Sequence, residues 1–125
     1  MLRSKLFLGA LAAGMLVAGA AFAAVDLSAT YGNTITWTDA AGSKTVFWLM
    51  GDGTFTAKAP GGEAKHGTWE ISGTQFCGTY DGETAKNCME VPHPDQAWVV
   101  GEKTPGKNFD GGDITIEVSP GQTGM

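Results

Sequence analysis

The residues best suited to chemistry in this chain are its two cysteines and two histidines. Cys88, Met89 and His93 lie close in sequence, and soft sulfur with imidazole is a ligand set that suits copper. The same cysteine has another use, because two cysteines in an exported chain most often form a disulfide. Strand alternation places Cys77 opposite Cys88 across a turn near 82–83. The sequence therefore favours a Cys77–Cys88 disulfide over a metal site.

The sequence lacks the motifs of the common enzyme classes. There is no Gly-x-Ser-x-Gly elbow, phosphate-binding loop, His-Glu-x-x-His pair or zinc-finger spacing. Asp110 and Asp113 flank two glycines, but two carboxylates fall short of the roughly six to eight oxygens of a calcium site. His66 falls on the polar face of a predicted strand, and His93 lies between two prolines, so we interpret both as surface histidines. We therefore expect a non-catalytic protein without a cofactor or a metal.

Aromatic side chains point most directly to a binding role. In a small barrel they either fill the interior or line a pocket for a small apolar or aromatic ligand, and the sequence leaves both readings open. Inward glycines at 67 and 78 are expected to leave room beside the rings. The candidate ligand-binding residues are Trp37, Trp48, Trp69, Trp98 and Tyr80.

The first 23 residues have the features of an export signal. Two basic residues precede an apolar run over 6–17, and Ala21–Ala23 has the small-x-small pattern of a cleavage site. We predict cleavage after Ala23, which leaves a single domain over 24–125 in the periplasm or outside the cell. No later stretch approaches the roughly 20 apolar residues of a membrane span.

The charge of the predicted mature chain limits its partners. Without the two basic residues of the export signal, six basic residues remain against 13 acidic ones, which gives a net charge of −7. Such a chain is not expected to bind nucleic acid or an anionic membrane. It is compatible with a basic protein partner. The sequence gives no indication of the oligomeric state.

The elements that must position these residues follow a period of two, which is typical of β-strands. Seven or eight short strands joined by tight turns predict an all-β fold, an antiparallel up-and-down meander barrel, with a small β-sandwich as the alternative. The turn-rich stretch Lys103–Gly112 is expected to be a surface loop. The predicted strands lie near 30–38, 45–50, 54–58, 66–72, 74–80, the segment ending at 91, 96–102 and 113–119.

Two hairpins have a predicted register. Asp52-Gly53 matches a two-residue type I′ turn, which would place Trp48 inward and leave Phe47 and Leu49 on the outer face. In the second hairpin, the turn near 82–83 pairs positions whose numbers sum to 165. Cys77 and Cys88 then face each other on the outer surface, with Phe76 and Met89 behind them in the core.

Several short motifs resemble those of small exported proteins of alphaproteobacteria. The chain has DGTF at 52–55, GTW at 67–69 and GTQFC at 73–77, followed by Cys88. This resemblance covers about 30–91 and implies a lipocalin-like, calycin-type barrel. Most of the small exported proteins that the chain resembles have no assigned activity. In size and disulfide the chain is also similar to the periplasmic lysozyme-inhibitor barrels, although it lacks the Ser-Gly-Ser-Gly loop of the C-type inhibitors.

Two functional hypotheses follow from these observations. The first is a periplasmic binding protein that holds a small apolar or aromatic ligand within the barrel. The second is an inhibitor or envelope-stress protein that acts on a basic protein, through a loop such as 103–112. The size of the barrel's interior is the property that separates them.

Overall fold

The computed structural model describes residues 25–125, so the predicted export signal over 1–23 lies outside the described residues. Regular structure consists of a 3₁₀ turn at Ser28–Thr30 and eight strands. The strands are β1 (Thr34–Asp39), β2 (Lys44–Leu49), β3 (Thr54–Lys58), β4 (Lys65–Ser72), β5 (Gln75–Tyr80), β6 (Asn87–Glu90), β7 (Lys103–Lys107) and β8 (Asp113–Ser119). Within this part of the chain, no helix has the length and apolar character needed to cross a membrane.

The strands form an up-and-down barrel with one open seam. Each strand from β1 to β6 pairs with the next, β8 pairs with β1, and β7 pairs with β8, always antiparallel. The sheet order β6-β5-β4-β3-β2-β1-β8-β7 brings the edge strands β6 and β7 near each other without a ladder between them. The predicted all-β meander barrel is therefore confirmed with eight strands, and the alternative sandwich is not formed.

The core occupies the barrel interior because successive side chains of a strand point to opposite faces. Strand β8 is the clearest case: Ile114, Ile116 and Val118 are buried, whereas the residues between them are partly exposed. The N-terminal segment adds Leu27, and the connector between β6 and β7 adds Trp98. The interior is thus closed at one end by segments that lie outside the sheet.

The predicted register of the β5–β6 hairpin is confirmed. Cys77 pairs with Cys88 and Phe76 pairs with Met89. The two cysteines form a disulfide with a Cα–Cα distance of 4.0 Å. Phe76 and Met89 belong to the core, although Cys77 on the other face is itself only 2% exposed.

The predicted register of the β2–β3 hairpin is wrong by one residue. Leu49 pairs with Phe55, so Phe47 and Leu49 are buried in the core and Trp48 lies on the outer face. A shift of one residue moves every side chain of a strand to the opposite face. The predicted assignment of Trp48 to the interior therefore does not hold.

The turn itself explains the shift. Gly53 donates its N–H to the carbonyl of Met50 at 3.1 Å, and Met50 donates to Thr54 at 2.9 Å. The loop therefore has three residues, and Gly53 adopts a φ of +91°, as in a turn followed by a bulge. The Asp52 carboxylate accepts hydrogen bonds from the N–H and hydroxyl of Thr54, which stabilises this longer turn.

The segment between β6 and β7 departs most from the sequence-based expectation. The strand predicted over 96–102 is a connector with two tight turns, closed by hydrogen bonds from Gln96 N–H to the His93 carbonyl and from Glu102 N–H to the Val99 carbonyl. The surface loop predicted over 103–112 is instead strand β7 followed by a turn at 108–112. Pro105 is tolerated in β7 because this strand lies at an edge of the sheet.

The C-terminal residues pack against the outside of β1 and β2. Thr34 donates its hydroxyl to the Gly121 carbonyl at 2.6 Å and accepts from the Thr123 N–H at 3.0 Å. Trp48 donates its indole N–H to the Thr123 carbonyl at 3.1 Å. The tail after β8 is therefore attached to the barrel wall and gives Trp48 its hydrogen-bond partner.

Candidate functional site

Two of the spaces formed by residues 25–125 open into the barrel interior, one near each end. The larger, here called the mouth pocket, has a volume of about 290 Å³. The smaller, here called the inner cavity, has a volume of about 50 Å³ and lies beneath the N-terminal turn and the β6–β7 connector. Ligand pockets in proteins usually span roughly 300–1,000 Å³, so only the mouth pocket approaches that size.

The mouth pocket is built from inward-facing residues at the strand ends remote from the connector. Its wall combines apolar and polar groups: the methyl group of Ala57, the ring of Tyr80, and the polar side chains of Thr45, Lys65 and Asn87. The β3–β4 turn and the β5–β6 turn complete the rim. The rim residues are Ala59, Gly62, Glu63 and Glu83.

Tyr80 is the aromatic element of the mouth pocket. Its ring meets that of Phe55 edge to face at 5.4 Å, and the Lys65 ammonium lies 5.9 Å from the ring centroid. Burial raises the pKa of the Tyr80 hydroxyl, and the negative charge of Glu83 adds to this effect. The phenol therefore stays protonated at neutral pH and can donate a hydrogen bond to a bound molecule.

The ring of Phe55 fills the interior between the two spaces. A Cβ atom at Gly67 would lie 2.6 Å from this ring, and one at Gly78 would lie 3.4 Å from it. The prediction that the two inward glycines leave empty room beside the rings is therefore wrong. They accommodate Phe55, which leaves the barrel filled at mid-height and open at the mouth.

The inner cavity is almost entirely apolar. Among the candidate residues, Trp37 and Trp98 line it, together with the buried hydroxyl residue Thr30. Trp37 packs on Phe47 at 4.3 Å and on Phe109 at 5.2 Å. The remaining lining residues are Leu27, Ile35, Phe47, Leu49, Phe76, Met89, Val91, Pro92 and Ile116.

A polar network, here called the His93 network, holds the connector that carries Trp98. His93 Nε2 pairs with Glu102, and its Nδ1 lies 3.3 Å from the Gln96 carbonyl. Glu102 also accepts hydrogen bonds from the Val99 N–H at 3.1 Å and the Thr104 hydroxyl at 2.8 Å. Because both ring nitrogens are occupied, His93 is a structural residue here and has no free nitrogen for proton transfer.

The pKa values of the His93 network reflect its partial burial. Burial opposes the charged form of His93, but the hydrogen bond and negative charge of Glu102 outweigh it and raise the His93 pKa. For Glu102, burial is again opposed by hydrogen bonds from Thr104, His93 and Val99, which lower the carboxyl pKa. The two side chains are 22% and 13% exposed, so they form a largely buried ion pair.

The structure does not bring the five candidate ligand-binding residues together. Tyr80 lies at the mouth pocket, Trp37 and Trp98 at the inner cavity, and Trp48 outside the barrel. Trp69 faces inward but lines neither space: it stacks on Phe76 at 5.8 Å and donates its indole N–H to the Met50 carbonyl at 3.0 Å.

Sequence reasoning missed the role of His93. Its position between two prolines suggested a surface residue, but its ring lies 4.6 Å from that of Trp98 and its backbone φ is +40°. Positive φ in a residue other than glycine is uncommon and marks a locally constrained backbone. The partner Glu102 comes nine positions later, and no periodicity links the two.

Within 25–125, no group of three or more His, Cys, Asp or Glu residues is arranged to hold a metal ion.

Comparison with known proteins adds no assignment. No protein-family model, curated protein or solved structure matches the chain. The resemblance to lipocalin-like exported proteins therefore stays a prediction.

Proposed function

We propose that the protein is an exported, non-catalytic binding protein that holds a small, largely apolar or aromatic ligand in the mouth pocket. The observation that carries this proposal is the pocket of about 290 Å³ at the open end of a barrel that Phe55 fills at mid-height. Such a space accepts a single aromatic ring with a short substituent. Its mixed lining suits a ligand that also carries a hydrogen-bonding group.

Each wall residue has a distinct contribution in this proposal. The Tyr80 ring offers an apolar face and a protonated hydroxyl, while Lys65 and Asn87 offer donors for a polar substituent. Ala57 is the smallest side chain in the wall and leaves the volume that the ligand occupies. A ligand with one ring and one polar group therefore matches the site better than a fully apolar chain.

Export is part of the same proposal. The predicted signal over 1–23 would direct the chain out of the cytoplasm, and the Cys77–Cys88 disulfide is the bond expected in an oxidising compartment. N-terminal sequencing of the protein recovered from the exporting cell is expected to begin at Ala24. An intact N-terminus at Met1 with reduced cysteines would contradict export.

Calorimetric titration with single-ring probes tests the binding proposal. Phenol, phenylacetate and 2-phenylethylamine share the ring and differ in polar group and charge. We expect saturable binding of at least one probe, and about tenfold weaker binding to Ala57→Leu, whose larger side chain fills the pocket. Thr45→Leu provides a second filling variant at a partly exposed position. The matched control is Ala41→Leu in the exposed β1–β2 turn, which lines neither space.

Two results would overturn the proposal. One is the absence of saturable binding of all three probes to the wild-type protein at millimolar concentration. The other is binding that both Ala57→Leu and Thr45→Leu leave unchanged while each variant keeps the wild-type circular dichroism spectrum. Binding that only a basic protein shows would favour the alternative hypothesis of a protein inhibitor.

A further inference from the structure

The rim of the mouth pocket carries charges of both signs. The charged residues that line it are Lys65, Glu63 and Glu83, and all three are exposed. None of them forms an ion pair within residues 25–125. The rim therefore presents one ammonium group and two carboxylates that are free to bind charged groups of a ligand.

The Lys65 side chain projects from the inner face of the barrel. Lys65 pairs with the buried Ala57 in the β3–β4 ladder, and directly opposed residues share a face of the sheet. The Lys65 ammonium lies 5.9 Å from the centroid of the Tyr80 ring. Lys65 is therefore placed to bind an anionic group of a ligand whose apolar part contacts Tyr80.

The β5–β6 turn holds Glu83 near the same tyrosine. The Glu83 backbone N–H donates to the Tyr80 carbonyl at 3.0 Å, which closes the turn. The negative charge of Glu83 is close enough to the Tyr80 hydroxyl to help raise the pKa of that group. Glu63, two positions before Lys65, adds a second carboxylate to the rim. These carboxylates are therefore placed to bind an ammonium group of a ligand.

The mixture of charges narrows the class of ligand. A monoanion would be attracted by Lys65 but repelled by two glutamates, and a monocation would be repelled by Lys65. An uncharged ligand would use none of the three charges. A zwitterion with an apolar body meets both signs at once, and α-amino acids with an apolar side chain have this composition.

We infer that the ligand of the mouth pocket is a zwitterionic α-amino acid with an apolar or aromatic side chain, whose carboxylate binds Lys65 and whose ammonium group binds Glu63 and Glu83. Its side chain contacts the Tyr80 ring and the Ala57 methyl group. A volume of about 290 Å³ accepts one such residue and is too small for a peptide of several residues. This inference rests on the proposed function, because it specifies the ligand of the same pocket.

Calorimetric titration of the wild-type protein with phenylalanine and two analogues tests the inference. 2-Phenylethylamine lacks the carboxylate of phenylalanine, and 3-phenylpropanoate lacks its ammonium group, while both keep the ring and its spacing. Because exposed ion pairs contribute little, we expect each analogue to bind about two- to fivefold more weakly than phenylalanine at low ionic strength. Added salt should reduce both differences.

Two variants assign these differences to residues. In Lys65→Met, phenylalanine should lose its advantage over 2-phenylethylamine, because its carboxylate has no partner, and should keep its advantage over 3-phenylpropanoate. In Glu83→Gln, the advantage over 3-phenylpropanoate should shrink, because Glu63 alone remains to bind the ammonium group. Lys44→Met and Glu117→Gln are the matched controls and should leave both differences unchanged, because these residues lie on the outer face and line neither space.

Phenol, an uncharged single ring, separates this inference from the proposed function. If phenol binds saturably but phenylalanine binds no more tightly than either analogue, the amino-acid inference is overturned and the binding proposal stands. If neither phenol nor any of the charged probes binds, both are overturned. Equal effects of Lys65→Met and Lys44→Met on the advantage over 2-phenylethylamine would also overturn the inference. The comparison of analogues needs only the wild-type protein, so it does not depend on the folding of a variant.

Discussion

At the scale of single residues, the His93 network restrains the longest irregular segment of the described chain. His93 adopts a positive φ although it is not glycine, a conformation that costs of order 1–3 kcal/mol. The ion pair with Glu102 and the packing against Trp98 offset this cost. The network therefore stabilises the connector over the inner cavity.

The stability of the fold should depend on pH through this pair. The pKa of Glu102 is lowered in the folded state, so its contribution is present above the ordinary value of 4.5 and is lost as the pH falls through the lowered pKa. The pKa of His93 is raised, so its contribution is present below the ordinary value of 6.5 and is lost as the pH rises through the raised pKa. The stabilisation is therefore largest between about pH 4.5 and pH 6.5.

Glu102→Gln tests this pH dependence. We expect the variant to lose about 1–3 kcal/mol of unfolding free energy near pH 5.5, because a charged hydrogen bond is removed, and to lose less above the raised His93 pKa. Urea unfolding measured across pH values gives the difference curve, and nuclear magnetic resonance gives the His93 pKa, which should fall in the variant. His66→Gln, on the outer face, is the control. A loss of stability that does not vary with pH would contradict the assignment.

At the scale of elements, side-chain placement in two hairpins depends on turn length. The β5–β6 hairpin has its predicted register, whereas the β2–β3 loop is one residue longer than the Asp-Gly pair suggested. A two-residue type I′ turn and a three-residue turn with a bulge both accept the Asp-Gly dipeptide. The two turns differ in which residues adopt a positive φ. Burial of Phe47 and Leu49 favours the longer loop, because it turns the most apolar strand face inward.

The pairing of β4 with β5 requires a glycine at one inward position. A Cβ at Gly67 would lie 2.2 Å from the Thr79 carbonyl oxygen, a backbone atom that cannot rotate away. We expect Gly67→Ala to lower the unfolding free energy by at least about 2 kcal/mol. Gly78→Ala is the matched control: its nearest contact would be an ordinary 3.4 Å, so its effect should stay within about 1 kcal/mol.

Thermal and urea unfolding of the two glycine variants decide this point. Equal destabilisation by both substitutions would contradict the proposed role of Gly67. It would mean that the cost arises from strand conformation in general rather than from the close approach of Thr79.

At the scale of the whole molecule, the barrel is a sheet whose two edges do not pair. The connector crosses the gap near Pro92, which lies so close to β7 that a Cβ at Gly106 would be 3.1 Å from the proline ring. The disulfide ties the four-residue edge strand β6 to β5. A small domain with an open seam buries a limited core, so such a cross-link has a large share in its stability.

Removal of the disulfide tests this contribution. The bond closes a short loop, because the two cysteines are 11 positions apart, and the chain-entropy model gives about 2–3 kcal/mol for a loop of this length. We expect Cys77→Ala with Cys88→Ala to lose about that much unfolding free energy in urea. Wild-type protein unfolded under reducing conditions is the control and should match the variant. Unchanged stability in both would contradict the prediction.

The sequence by itself determined the all-β class, the meander order and the pairing of Cys77 with Cys88. These features depend on local alternation and on turns between adjacent strands, which neighbouring residues encode. It also indicated the set of aromatic residues from which both interior spaces draw. It did not indicate which ring belongs to which space, since one residue more in a turn moves Trp48 from the interior to the surface.

Only the tertiary structure decided the sizes of the two spaces, the filling of the middle by Phe55 and the pairing of His93 with Glu102. Each of these depends on contacts between segments that are distant in the chain or joined by irregular backbone. A volume is a small difference between the space that the barrel encloses and the space that its side chains fill. Strand periodicity sets which residues face inward, but the three-dimensional packing of those residues sets what remains empty.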